Sequence, residues 1–299
     1  MIAPRQDSHK PFTDIRGSGA INELLRSHGF NFRKSLGQNF LVDANITEKM
    51  VRASGIDKSC GVLEVGPGIG ALTGCLVSSA ARVVAVELDR RLAEILEEIT
   101  SEAESLVIIR GDILKLDIAL LVRENMAGLR ARACANLPYN ITTPALTALV
   151  NAGVFEEITV MVQREVARRI CSSPGTREYG ALSVFAQYHS LPKIEFDVPP
   201  ECFIPKPKVF SSVVTMKIRP DKLLSQEMET IFFKSVRAAF GQRRKTLVNA
   251  LLPAFGNVMS KDEVAGIVKR CGFNVSVRGE SLSVEDFIRL SASLYSVCG

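Results

Sequence analysis

Between residues 61 and 172 the chain alternates short, almost wholly apolar runs with longer stretches in which apolar residues return every three or four positions. The runs "GVLEV", "RVVAVEL", "LVIIR", "ARACA" and "EITVMVQ" have the length and composition of strands buried on both faces. The stretches between and after them, "ALTGCLVSS", "RRLAEILEEIT", "IALLVREN", "PALTALVNAG" and "REVARRICS", have a helical period. Such alternation predicts an α/β fold, a doubly wound and mostly parallel sheet covered by helices. Upstream, "AINELLRSHGF" predicts a short helix stopped by Gly29, with His28 as an end-of-helix residue. "DANITEKMVRASG" predicts a second, capped near Asp43 or Asn45 and ended by Gly55.

After Pro174 and Gly175 comes a helical stretch, "ALSVFAQYHS". Two more strands follow, "PKIEFDV" and "SVVTMKI", separated by the proline-rich "PPECFIPKPKVF". They are expected as an antiparallel pair finishing the sheet at one edge. From Leu223 onward every pattern is helical: "METIFFKSVRAAF", "RKTLVNALLPAF", "KDEVAGIVKRCG" and "SVEDFIRLSASLYS". The expected organisation is a flexible tail over 1–17, an α/β domain over 18–219 and a small all-α domain over 220–299.

Composition narrows the function classes. At 46% hydrophobic and 23% charged residues, the chain reads as soluble and globular. No apolar run approaches the roughly 18–20 residues of a membrane span, and the first residues lack a signal-peptide core. Seven cysteines without a CxxC pair fit reduced thiols in a cytoplasmic protein. Three scattered histidines offer no metal-ligand spacing, so no metal is expected. The net charge of +5 is unevenly placed: Thr230 to Ser260 holds Lys234, Arg237, Arg243, Arg244 and Lys245 and no acid. That stretch suits either a polyanion or a solvated helix face.

The chemistry concentrates at the ends of the predicted strands. The first runs into "EVGPGIGALT", where glycines 66, 68 and 70 allow a tight turn and close approach of a ligand at a helix start. Gly66-x-Gly68-x-x-Ala71 satisfies a permissive dinucleotide pattern, and a plain strand-to-helix turn would look the same. The next strand ends in Glu87, about twenty residues on, where a carboxylate can accept both ribose hydroxyls. The third ends in "RGDIL", where Asp112 either accepts from an adenine amine or caps a turn. The fourth ends in Asn136-Leu137-Pro138-Tyr139. Pro138 fixes its own φ and biases Leu137 away from the helical region, aiming the Leu137 carbonyl, while Asn136 adds a second oxygen acceptor. Two acceptors beside an aromatic face suit a flat ring bearing an exocyclic amine. They would favour the less conjugated nitrogen and stabilise the charge that develops as it attacks.

"NLPY" after a "GPGxG" strand resembles the adenine-N6 branch of the S-adenosyl-L-methionine (SAM)-dependent methyltransferases. The blocks "KSLGQNFLVD", "VLEVGPGIGALT", "VVAVELD", "GDIL", "NLPYNITTPAL", "MVQREVARRI", "VPPECFIPKPKVFSSVV" and "GQRRKTL" occur in order from about Ala20 to the C-terminus. Together they are similar to the ribosomal RNA small-subunit adenine dimethyltransferases, the KsgA family. The resemblance implies a Rossmann-like SAM domain and a helical domain that binds RNA or the ribosome. It implies dimethylation at N6 of two adjacent adenosines in the hairpin loop near the 3′ end of small-subunit ribosomal RNA, in an assembling small subunit, by a monomer. Carried over by position, Gln38, Asn39, Leu41, Gly66, Gly68, Glu87, Asp112 and Asn136 would contact SAM. Asn136, Leu137, Pro138 and Tyr139 would form the catalytic motif. Phe203 would cover the target base from the other side, although its sequence context reads as core. Arg33, Lys34, Arg164, Arg168, Arg169, Arg243, Arg244 and Lys245 become candidate phosphate contacts.

Three rivals remain. A large-subunit RNA adenine methyltransferase conferring macrolide resistance shares the cofactor loop and a similar motif, but "GQRRKTL" and the leucine of "NLPY" favour the small-subunit enzyme. A non-catalytic RNA-binding assembly or transcription factor would not need the intact motif at 136–139. A nicotinamide oxidoreductase leaves that motif unexplained.

Overall fold

A computed structural model of the protein describes residues 18–29 and 38–298; Arg33, Lys34 and the tail 1–17 lie outside them. Helix α1 (Ser18–Ser27) precedes a two-residue strand β1 (Phe40–Leu41) and α2 (Ala44–Ala53). The alternating region then runs β2 (Cys60–Val65), α3 (Ala71–Ser79), β3 (Arg82–Glu87), α4 (Arg90–Ile99), β4 (Leu106–Arg110), α5 (Ile118–Asn125), β5 (Arg130–Asn136), α6 (Thr142–Asn151), β6 (Glu157–Gln163) and α7 (Arg164–Cys171). Asp43, Asp89 and Asp117 cap α2, α4 and α5 by accepting a first-turn N–H, which fixes where those helices begin. α8 (Ala181–His189), β7 (Ser190–Val198), β8 (Phe203–Ile204) and β9 (Ser211–Ile218) follow, then α9 (Gln226–Gly241), α10 (Leu247–Phe255), α11 (Lys261–Arg270) and α12 (Val284–Cys298).

Seven strands form one sheet in the order β4-β3-β2-β5-β6-β9-β7. Strands β2 to β6 are parallel, and β9 runs antiparallel to β6 with Ser211 opposite Gln163. The chain enters at β2, steps outward through β3 and β4, and returns to β5 on the other side. Order therefore reverses between β2 and β5, and at such a switch point the strand ends diverge and leave a crevice. β2 is buried along its whole length, consistent with a central strand that has neighbours on both edges and helices on both faces.

Two features depart from the sequence reading. Phe40 and Leu41 pair antiparallel with Ile204 and Phe203 in a separate two-stranded sheet, extended by a 2.9 Å bond from Val42 N to Cys202 O. A ladder of two residues joining distant segments leaves no periodicity to read. The second concerns α8, placed above in a domain over 18–219. The chain divides into two compact units, and Arg168–Pro192 belongs with Arg219–Gly299. Val184 and Tyr188 of α8 share a core with Phe232, Leu251 and Phe287, the Tyr188 and Phe232 rings 4.5 Å apart. The buried Tyr179 hydroxyl donates to Leu282 O at 2.8 Å, and Arg243 donates to Glu280 and to Arg177 O, both at 2.7 Å. The helical unit thus draws on two separate stretches of chain.

Within β2, Glu64 is only 1% exposed, with its carboxylate accepting from the Thr73 hydroxyl of α3 at 2.7 Å. Burial raises its pKa from 4.5 to about 8, against the Thr73 bond and reinforced by the nearby Glu87 charge. Between these two values the folded chain holds a proton that the unfolded chain releases. The Glu64 contribution to stability is therefore complete below about pH 4.5 and is lost as pH rises through about 8. Glu64→Gln removes this titration while keeping an oxygen toward Thr73. Urea denaturation from pH 5 to 9 should show the variant gaining on the wild type as pH rises, and parallel curves would reject the assignment.

Candidate active site

The crevice at the switch point is lined by residues from the ends of β2, β3, β4 and β5 and by the segment entering β1. Its floor is the glycine loop. Gly66 and Gly68 have φ of +67° and +59°, backbone positions where a Cβ is strained. At Gly68 a Cβ would also stand 3.0 Å from the Phe40 ring, so the second glycine is required on two grounds. Gly66 N donates to Val86 O at 2.9 Å, tying the loop to the end of β3.

The two expected acids both reach the cavity, each already engaged with backbone. Glu87 is buried and accepts from Gly68 N at 3.1 Å with one oxygen and from Asp89 N at 2.8 Å with the other. Desolvation raises its pKa, and the two amide bonds oppose the rise. Each carboxylate oxygen keeps further acceptor capacity for a hydroxyl. Asp112 lines the cavity and also accepts from Leu114 N at 3.0 Å, so the binding and turn-capping readings are compatible. Gln38, Asn39 and Leu41 line the cavity too, with Gln38 Nε2 donating to the α4 cap Asp89 at 3.2 Å.

Asn136 is the last residue of β5, and Leu137, Pro138 and Tyr139 continue along the cavity wall. The Asn136 Nδ2 donates to Asn39 O at 3.2 Å. A carbonyl can only be met by the NH₂ end of the amide, so Oδ1 is left as its acceptor. Leu137 N donates to Met161 O, and Pro138 O accepts from Ile141 N, both at 3.2 Å, so bonds on both sides brace the turn. The Tyr139 hydroxyl lies 2.5 Å from Ser211 Oγ, and burial raises its pKa. It stays protonated in the neutral range and is no general base.

Phe203 is not brought to this site. It is 2% exposed, paired with Leu41 and packed in the core of Ile46, Met50 and Val198, and it does not line the cavity. Its apolar surroundings match the core reading of its sequence context rather than the base-covering role that the resemblance implies. Phe40 and Ser211 were missed. Both lie inside quoted blocks, Phe40 in "KSLGQNFLVD" and Ser211 in "VPPECFIPKPKVFSSVV", but neither block marks which of its residues reaches the site. Of the basic candidates, Arg243 is committed to Glu280 and to backbone carbonyls, while Arg244 and Lys245 are exposed. Arg168 and Arg169 are exposed on α7. Arg164 lies 3.7 Å from Asp197 with its guanidinium over the Phe210 ring.

No helix among the described residues is long and apolar enough to cross a membrane. The chain is 44% identical over 285 residues to a ribosomal RNA small subunit methyltransferase A of Shouchella clausii, covering 95% of this chain and 96% of that protein. The solved structure of a dimethyladenosine transferase from Plasmodium falciparum superposes with a TM-score of 0.75 at 21% identity, over 87% of this chain and 98% of that one. That of the 23S rRNA methyltransferase ErmE gives 0.66 at 24%, over 86% and 99%. At those identities the two structures establish a shared Rossmann-like methyltransferase fold and do not choose between subunits. The family model described as ribosomal RNA adenine dimethylase matches residues 29–295, and with the 44% relative it makes this chain a member of that family.

Proposed function

We propose that the protein transfers methyl groups from SAM to N6 of two adjacent adenosines in the 3′-terminal hairpin loop of small-subunit ribosomal RNA. The products are N6,N6-dimethyladenosines, made on an assembling small subunit. The observation that carries this reading is the amide of Asn136, pinned through Nδ2 to Asn39 O and lining the same crevice as the glycine loop, Glu87 and Asp112.

The residues fit SAM. Gly66 and Gly68 keep the floor free of side chains, Glu87 and Asp112 provide acceptors for ribose hydroxyls and an adenine amine, and Gln38, Asn39 and Leu41 close one wall. When bound there, SAM supplies an electrophilic methyl group on a sulfonium. The chain's own part is positioning and electrostatics. Asn136 Oδ1 and the Leu137 carbonyl accept the N6 hydrogens of an adenine taken out of its stack, and Tyr139 offers it an aromatic face. Both acceptors stabilise the positive charge that grows on N6. The proton leaves after the methyl arrives, so the motif needs no strong base. Arg168, Arg169, Arg244 and Lys245 are assigned to phosphate contacts, and Arg243 to holding the helical unit together.

Methyl transfer from labelled SAM to unmethylated small subunits tests this. Asn136→Ala should lower kcat by roughly 10²-fold, the scale of losing one preorganised polar contact. Mapped products should be dimethyladenosines at two adjacent positions near the 3′ end. A wild-type protein that binds SAM and subunits without transfer would overturn the reading. Gly68→Ala should weaken SAM binding about tenfold in a titration, since it places an alanine at φ +59° against Phe40. Unchanged affinity would remove the loop from the cofactor site.

A further inference from the structure

We propose that Phe210 is a stacking platform for the unpaired RNA base next to the adenosine being modified; this rests on the function proposed above. Phe210 directly precedes Ser211, whose hydroxyl lies 2.5 Å from that of Tyr139. Phe210 O also accepts from Arg164 N at 2.9 Å, where β6 ends and α7 begins. These bonds place Phe210 on the carboxyl edge of the sheet, the edge that carries the Asn136 motif.

Phe210 is 40% exposed, and Arg164 holds its guanidinium over the ring, 4.6 Å from the centroid. Asp197, 3.7 Å from Arg164, steadies the cation. Among the described residues, Phe210 and Tyr295 are the only exposed phenylalanine or tyrosine residues, and Phe210 alone belongs to the α/β unit. Phe203, the other aromatic of this segment, is buried. The residues before Phe210 are exposed: Lys206, which pairs with Glu201 at 2.5 Å, Lys208, and Val209 directly before the ring.

A solvent-facing ring flanked by cations matches a single-stranded nucleic acid, which brings a π-face and a phosphate together. The apolar part is too small for a packed protein interface, which needs a buried core of many residues. The reaction also creates the need. When one of two adjacent adenosines leaves its stack, its neighbour loses a stacking partner, and a fixed ring one residue from the Tyr139 contact can replace it.

Phe210 touches neither the cofactor wall nor the acceptors, so its replacement leaves SAM binding intact. Phe210→Ala should raise KM for unmethylated small subunits roughly tenfold, with SAM affinity and melting temperature unchanged. Phe210→Trp should restore KM, whereas Phe210→Leu, apolar but without a π-face, should not. In a short RNA carrying 2-aminopurine beside the target adenosine, wild type should quench the fluorescence on binding and Phe210→Leu should not. Wild-type KM in Phe210→Ala, or rescue by leucine equal to that by tryptophan, overturns the proposal while leaving the proposed activity standing. Absence of methyl transfer by wild type overturns both.

Discussion

The site depends on one buried carboxylate. Glu87 ends β3 and spends its two oxygens on the amides of Gly68 and Asp89, so the glycine loop and the start of α4 are held to a single group. Burying a carboxylate is unfavourable, and two amide donors offset much of that cost. Without it, two amides beside the cavity would lose their partner, and the loop that floors the crevice would lose its anchor. Asp89 continues the chain of contacts by capping α4 and accepting from Gln38. Acid, glycine loop and the Gln38 wall of the crevice therefore form one hydrogen-bonded body.

The turn at 136–139 is braced in a similar manner, by backbone rather than by charge. Asn39 O chooses the orientation of the Asn136 amide, Met161 O holds Leu137, and the bond from Ile141 N to Pro138 O folds the chain into α6. In the reaction proposed above, an acceptor fixed before the substrate arrives would need no reorganisation as charge develops. Nearby, Glu64 remains protonated at neutral pH, so the crevice carries less negative charge than its three carboxylates suggest.

Much of this was legible in sequence because it is local. Alternating apolar runs and helical periods identified the parallel strands, and glycines and acids at successive strand ends do line one crevice. The exceptions are contacts between residues distant along the chain. Ser211 meets Tyr139 across 72 positions, and Phe40–Leu41 meet Phe203–Ile204 across more than twice that separation. Nothing in either segment announces its partner. Phe203 is the opposite case: its sequence context already read as core, and its neighbours in space keep it there, away from the base-covering place that the resemblance implied. An apolar helix such as α8 likewise displays that it must be buried, not against which core.

The two-part composition of the helical unit has a consequence for synthesis. The chain is made from its N-terminus, so α8 leaves the ribosome before β7, β8 and β9 and well before α9 to α12. Val184 and Tyr188 must then wait, uncovered, for Phe232, Leu251 and Phe287. The parallel strands are complete in sequence by Gln163, whereas the helical core cannot close until Leu290 and Leu294 have emerged. The order of synthesis thus separates early from late folding, and the interval in which α8 stands exposed is set by translation speed.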